Sequence, residues 1–170
     1  MMGPIRFRAT WRILMIKKIT MATAGLAIAT TAVFAASHAG GPFDGQITAR
    51  QSHMKLYAHN IGILGGMAKG AIEYNADTAS VAAANLASMA SMSQATYWPQ
   101  GSDSFDNENT GALPEIWENF PDVGAKGKAL ADATAAMSAA AGNGLADLQA
   151  AIGAVGGACG ACHKVYRKPQ

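Results

Sequence analysis

A chain of 170 residues, half of them hydrophobic and 7% aromatic, has room for one domain of ordinary size. Its formal charge of +2 is unevenly spread: Arg6, Arg8, Arg12, Lys17 and Lys18 all precede the first acid, Asp44. From Gly40 onward eight Lys and Arg face eleven Asp and Glu, a net −3 that argues against nucleic acid as a partner.

The first 39 residues have the build of an export signal. A basic start leads into an apolar run from Ile19 to Ala36, and Ser37-His38-Ala39 offers small residues for cleavage before Gly40. A membrane anchor is the competing reading, but the run is rich in Ala and Thr and lacks a strong Leu/Ile/Val block. Met15-Ile16-Lys17-Lys18 would itself begin a compact signal, so Met1 and Met15 are both candidate initiators. The expected division is 1–39 as a cleaved signal and 40–170 as the working domain, delivered to a bacterial periplasm with no stable membrane insertion after cleavage.

Four helices are expected in the remainder. The first spans about Gly45 to Gly70, with Ile47, Met54, Tyr57, Ile61, Leu64 and Ala68 on its apolar face. The second spans about Thr78 to Gln94, with Val81, Leu86, Met89 and Met92 as its larger apolar groups and Asp77 or Asn75 as its cap. Tyr97 to Asn119 reads as a long crossover loop, because Pro99, Gly101, Gly111 and Pro114 punctuate a stretch of Ser, Asp and Asn. Pro114-Glu115-Ile116-Trp117 is expected to form a short helical turn within it. The third helix spans about Asp122 to Ala141, with Val123, Leu130 and Met137 at seven-residue spacing, and Gly142-Asn143-Gly144 ends it. In the fourth, Leu145, Leu148, Ile152, Val155, Cys159, Cys162 and Tyr166 alternate steps of three and four, the signature of an a/d seam. No alternating β pattern competes, so the expected fold is all-α, an antiparallel up-down four-helix bundle.

The last helix also carries Cys159-Gly160-Ala161-Cys162-His163, which holds the only two cysteines of the chain. Two thiols at this spacing can add across the two vinyl groups of one haem, and the histidine that follows can reach the iron. C-x-x-C-H therefore reads as a c-type haem attachment, one covalent haem c per chain, placed in the bundle core. At about 100° per residue the three side chains fall within an arc of about 100°, so attachment and ligation can share one helix face. A redox dithiol would sit after a strand at a helix start, and a zinc site needs ligands that no second Cys/His pair supplies. These two remain the alternatives.

The chain resembles the class II cytochromes c, the cytochrome c-prime family and its low-spin relatives, over essentially all of its mature length. Arg50-Gln51-Ser52-His53-Met54-Lys55 looks like the family's R-Q-x-x-M/L stretch, and Trp98-Pro99-Gln100-Gly101-Ser102 like its aromatic-Pro-x-Gly-Ser/Thr loop. Pro114-Glu115-Ile116-Trp117 matches its P-E-I-W turn, Gly124 to Leu130 resembles part of its third helix, and Cys159 to Arg167 matches C-x-A-C-H-x-x-Y-R. The resemblance implies thioethers at Cys159 and Cys162, proximal ligation by His163, and Arg50 and Arg167 near the haem propionates. Leu113 departs from the pattern, since many members place Lys or Arg there.

Met54 occupies the family's distal position. As a sixth ligand it would make the iron low-spin and suit electron transfer; as a core methionine it would only fill space. His53 and His59 read as surface polar groups. Tyr57, Tyr97, Trp98 and Trp117 are aromatic candidates to flank the haem, with Trp117 carried forward as a pocket residue; ordinary core or loop anchoring is the other reading. Lys164, Arg167 and Lys168 form a basic tail that either favours a helix C-terminus or docks an acidic redox partner. Together these point to an exported monohaem c-type cytochrome in electron transfer, not an enzyme, with periplasmic redox proteins as partners. Gly62, Gly65 and Gly66 permit a homodimer through close helix contact. The alternatives are a five-coordinate haem that captures NO or CO, and a bundle with a C-x-x-C disulfide.

Overall fold

The protein is described as a computed structural model over residues 41–169. The expected export signal lies outside the described residues. The helices are α1 (Asp44–Ala68), α2 (Ala76–Ser91), α3 (Glu115–Glu118), α4 (Phe120–Ala140) and α5 (Leu145–Tyr166), with a short 3-10 turn at Ala95–Tyr97. No strand occurs among the described residues; an isolated bridge joins Ala112 to Arg167.

Local chemistry sets the helix starts. Asn75 caps α2, its side chain accepting from the Thr78 N–H at 2.8 Å. Asn119 caps α4 in the same way through Asp122 N–H at 3.4 Å, with Pro121 in the first turn where its missing N–H costs nothing. In the crossover loop, Gly101 takes φ +80°, a left-handed conformation that a side chain would strain, and so completes the turn begun by Trp98-Pro99.

The four long helices close a ring of contacts, α1 on α2, α2 on α4, α4 on α5 and α5 back on α1. Leu64, Leu86, Met137, Leu148 and Val155 are the large side chains fully buried at its centre, and Ala79, Ala82, Ala83 and Ala141 are buried with them. Small residues let the helices approach closely, so little apolar volume holds the bundle together. Of the larger apolar groups of α2, Val81 is 61% exposed, and the helix buries Ala79, Ala82, Ala83 and Leu86. Among Gly62, Gly65 and Gly66, Gly65 packs on Ile152 and Gly66 on Ile72 within the chain, while Gly62 is open.

Candidate functional site

Helices α1 and α5 run antiparallel in a register that side-chain contacts fix. Gln149 donates to the Ala68 carbonyl at 2.8 Å, Gly65 faces Ile152, and Tyr57 lies beside Cys159. Each step toward the start of α1 is matched by a step toward the end of α5. The same register carries Met54 to the level of His163. At about 100° per residue, Met54 shares a line with Ile61 and Gly65, the residues that face α5. Met54 is 38% exposed, so it stands on that line without being packed into the core.

Cys159 and Cys162 are half-buried on α5, and burial pushes both thiols above their ordinary value. A redox dithiol needs the opposite shift, toward the thiolate, so this environment does not suit dithiol chemistry. Zinc fares no better: among the described residues no three of His, Cys, Asp and Glu converge. His163 is half-buried; burial first, and then the charge of Arg167, lower its pKa and hold the imidazole neutral, the form that binds a metal. Gly156, Gly157 and Gly160 have nothing within 4 Å of where a Cβ would stand, so α5 presents bare backbone around the motif. Two neutral thiols, a neutral imidazole and an uncluttered helix surface, opposite a thioether at the same level, fit a flat covalent haem.

Tyr57 packs edge-on against His53 with ring centroids 4.7 Å apart, and the pair forms the inner wall beside Cys159. Burial, then the nearby Cys159, pushes the Tyr57 hydroxyl up to about 12. The hydroxyl and His53 Nε2 are buried without a hydrogen-bond partner among protein atoms. His53 is only 6% exposed, which corrects its placement on the surface; His59 is exposed as expected. Burial lowers the His53 pKa, opposed by the Met89 backbone, so the ring sits neutral between α1 and α2.

Arg50 is 3% exposed. Its Nη1 donates to the Tyr97 carbonyl at 3.3 Å and to Ser102 Oγ at 2.7 Å; its Nη2 donates to Thr110 Oγ1 at 2.9 Å and to the Ser102 carbonyl. The guanidinium lies 4.8 Å from the Trp98 ring and 5.9 Å from that of Trp117, whose Nε1–H donates to the Trp98 carbonyl at 3.1 Å. Burial lowers the Arg50 pKa, offset in part by Asp103. Four donor contacts thus go to the crossover loop, so Arg50 ties that loop to α1. Trp117 stands with Arg50 and Trp98 at the loop. Arg167 is exposed next to His163 and packs its Cγ over Gly111.

The chain end is held by the loop as well. Leu113 N–H donates to the Tyr166 carbonyl at 3.0 Å and Lys168 N–H to the Gly111 carbonyl at 2.8 Å. Leu113, the departure from the family pattern, serves here through its backbone. Tyr166 donates its hydroxyl to Asp122 Oδ2 at 2.6 Å, and Lys126 lies 3.4 Å from that oxygen. The Tyr166 hydrogen bond above all, against some desolvation and with help from Lys126, holds the Asp122 carboxyl below its ordinary 3.8. A carboxyl lowered in the folded state contributes stability that is present above its unfolded value and is lost as pH falls through the folded one. Tyr166→Phe is therefore expected to destabilise the protein at neutral pH, with a deficit that shrinks as the pH drops below 3.8. Urea midpoints across that range check it, and a deficit independent of pH would contradict it.

Residues 45–167 match the family described as Cytochrome C'. Cytochrome c-554 of Cereibacter sphaeroides is 44% identical over 122 residues, covering 72% of this chain and 80% of that protein. Cytochrome c' of the same organism is 36% identical over 121 residues, covering 71% and 81%. The solved cytochrome c' from Rhodobacter Spheriodes superposes with a TM-score of 0.74 at 33% identity, covering 76% of this chain and all of that one.

Proposed function

The chain belongs to the cytochrome c' family and carries one covalent haem c, and from that premise we propose that it is a periplasmic electron carrier held in the low-spin state by His163 and Met54. Cys159 and Cys162 attach the haem, which supplies a one-electron Fe(III)/Fe(II) couple when bound. His163 presents a neutral nitrogen from a helix fixed by Leu148, Val155 and Tyr166. Met54 offers a soft, neutral sulfur, a donor that favours the ferrous state and raises the potential. Tyr57 and His53 wall off the interior, limiting water near the iron and the reorganisation that accompanies electron transfer. The observation that carries this reading is the register that sets Met54 level with His163 on the α5-facing line of α1.

One observation favours a second reading. Met54 is 38% exposed, so packing does not hold its thioether in a single place. If it screens the iron without binding, the protein captures NO or CO at a five-coordinate haem.

Spectra of the oxidised and reduced holo-protein decide between them. A low-spin ferric spectrum with the weak thioether–iron charge-transfer band supports the carrier. Met54→Leu is then expected to convert the iron to high-spin, open it to CO, and lower the potential by on the order of 0.1 V, a modest part of the ~0.8 V that axial ligands can set. An unmodified protein that is already high-spin and binds CO gives the gas-binding reading its place.

A further inference from the structure

Arg50, His53, Tyr57 and Asn60 put polar atoms on the buried stripe of α1. The two at the ends are satisfied. Arg50 spends its donors on the crossover loop, and Asn60 donates to the Leu56 carbonyl at 2.8 Å and accepts from Asn85 at 3.1 Å. The two between them are not. The Tyr57 hydroxyl and His53 Nε2 meet no partner among protein atoms, although Tyr57 is only 8% exposed and His53 6%. Leaving a buried polar group alone costs more than an ordinary hydrogen bond returns, so in a stripe otherwise satisfied the exception marks a site.

The two atoms are complementary. Tyr57 follows His53 by one helical turn, and their rings meet edge to face with centroids 4.7 Å apart. Burial, then Cys159, keeps the Tyr57 phenol protonated, a donor in need of an acceptor. The neutral His53 ring has one N–H, and the Met89 backbone takes it; since Nε2 is unpartnered, that N–H is at Nδ1. Nε2 is then a bare acceptor in need of a donor. The phenol and Nε2 do not bond to each other, so the group between them must accept on one side and donate on the other. Water does both, and two polar partners are enough to hold one. An ionised haem propionate only accepts, and it would set its charge against the Nε2 lone pair.

We infer that Tyr57 and His53 hold one buried water, which accepts from the phenol and donates to Nε2, and that this group beside the Cys159 attachment lowers the reduction potential of the haem. Ferric haem carries one more positive charge than ferrous haem, so polar atoms fixed near it favour the ferric state. Tyr57 and His53 are positioning residues in this role. One locked water leaves their wall closed to bulk solvent. The inference rests on the covalent haem alone and is the same whether or not Met54 binds iron.

The test uses the ferrous holo-protein, with CO added if the iron is high-spin, so that the haem is diamagnetic in either case. NMR is expected to show a slowly exchanging Tyr57 hydroxyl proton with a cross-peak to a bound water, and a His53 ring protonated at Nδ1. Tyr57→Phe keeps the ring and removes the donor. It is expected to shift the Nε2 resonance of His53 and, at a fixed ambient potential, to raise the ferrous-to-ferric ratio by about threefold or more. His53→Leu is expected to raise that ratio as well, and the double variant to add little, because each single change already releases the same water. A Tyr57 hydroxyl bonded straight to His53, or one whose cross-peaks run to the haem and not to water, overturns the site. Shifts in potential that are absent, reversed or fully additive overturn its role.

Discussion

Replacing both cysteines, Cys159→Ala with Cys162→Ala, is expected to yield a chain that keeps much of its helix and loses its fixed packing. Five large side chains are fully buried at the centre of the bundle, and four alanines are buried with them. Alanine lets helices form and approach but buries little apolar area, and burial is the dominant favourable term in folding. A covalent haem adds a large flat apolar body beside the half-buried Cys159 and Cys162 on α5. Without the attachment, most of the ~5–15 kcal/mol that stabilises an ordinary domain should be gone. The expected signs are retained far-UV circular dichroism, lost near-UV signal, dye binding to exposed apolar surface, and no sharp melting transition. Acid-acetone should extract any haem from the double variant and none from the parent. A double variant with native near-UV signal and an unchanged melt would show that alanine packing alone suffices.

Arg50→Ala is expected to cost about 1.5–3 kcal/mol or more, the worth of hydrogen bonds to a charged group and the cost of leaving buried acceptors unmatched. The change strands the Tyr97 and Ser102 carbonyls and the Ser102 and Thr110 hydroxyls, which now accept from one guanidinium. It also removes the cation from the face of Trp98. Arg50→Lys should recover only part of the loss, because an ammonium cannot reproduce the planar fork that reaches four acceptors at once. Chemical denaturation gives the magnitude. Hydrogen exchange gives the place, with protection expected to fall in the crossover loop before it falls in α2 or α4. A cost under about 1 kcal/mol, the level of a surface substitution, would mean the loop holds itself.

The sequence by itself determined a great deal here. Helix period, caps and breakers located the helices within a few residues, because Asn75, Asn119 and Gly142-Asn143-Gly144 act on their immediate neighbours. The C-x-x-C-H run named its chemistry, because two thiols and an imidazole one residue on can meet one haem without help from elsewhere in the chain. The apolar face expected for α1 was right only in part: Ile47, Tyr57 and Leu64 point inward, while Met54 is 38% exposed and Arg50, His53, Asn60 and Met67 are buried instead. Two stripes share that helix: an apolar line through Met54 and Ile61, and a mixed one through Arg50, His53, Tyr57, Asn60, Leu64 and Met67. The second follows the alternating steps of three and four as strictly as the α5 seam does, yet it carries an arginine, a histidine and an asparagine, so hydrophobicity alone picked out only some of its apolar members. Only the tertiary structure could select it. Arg50 can be buried because a loop some fifty residues downstream supplies its acceptors, and Asn60 because Asn85 on α2 meets it at 3.1 Å. The inward face of a polar stripe is decided by partners distant in the chain, and local periodicity carries no record of them.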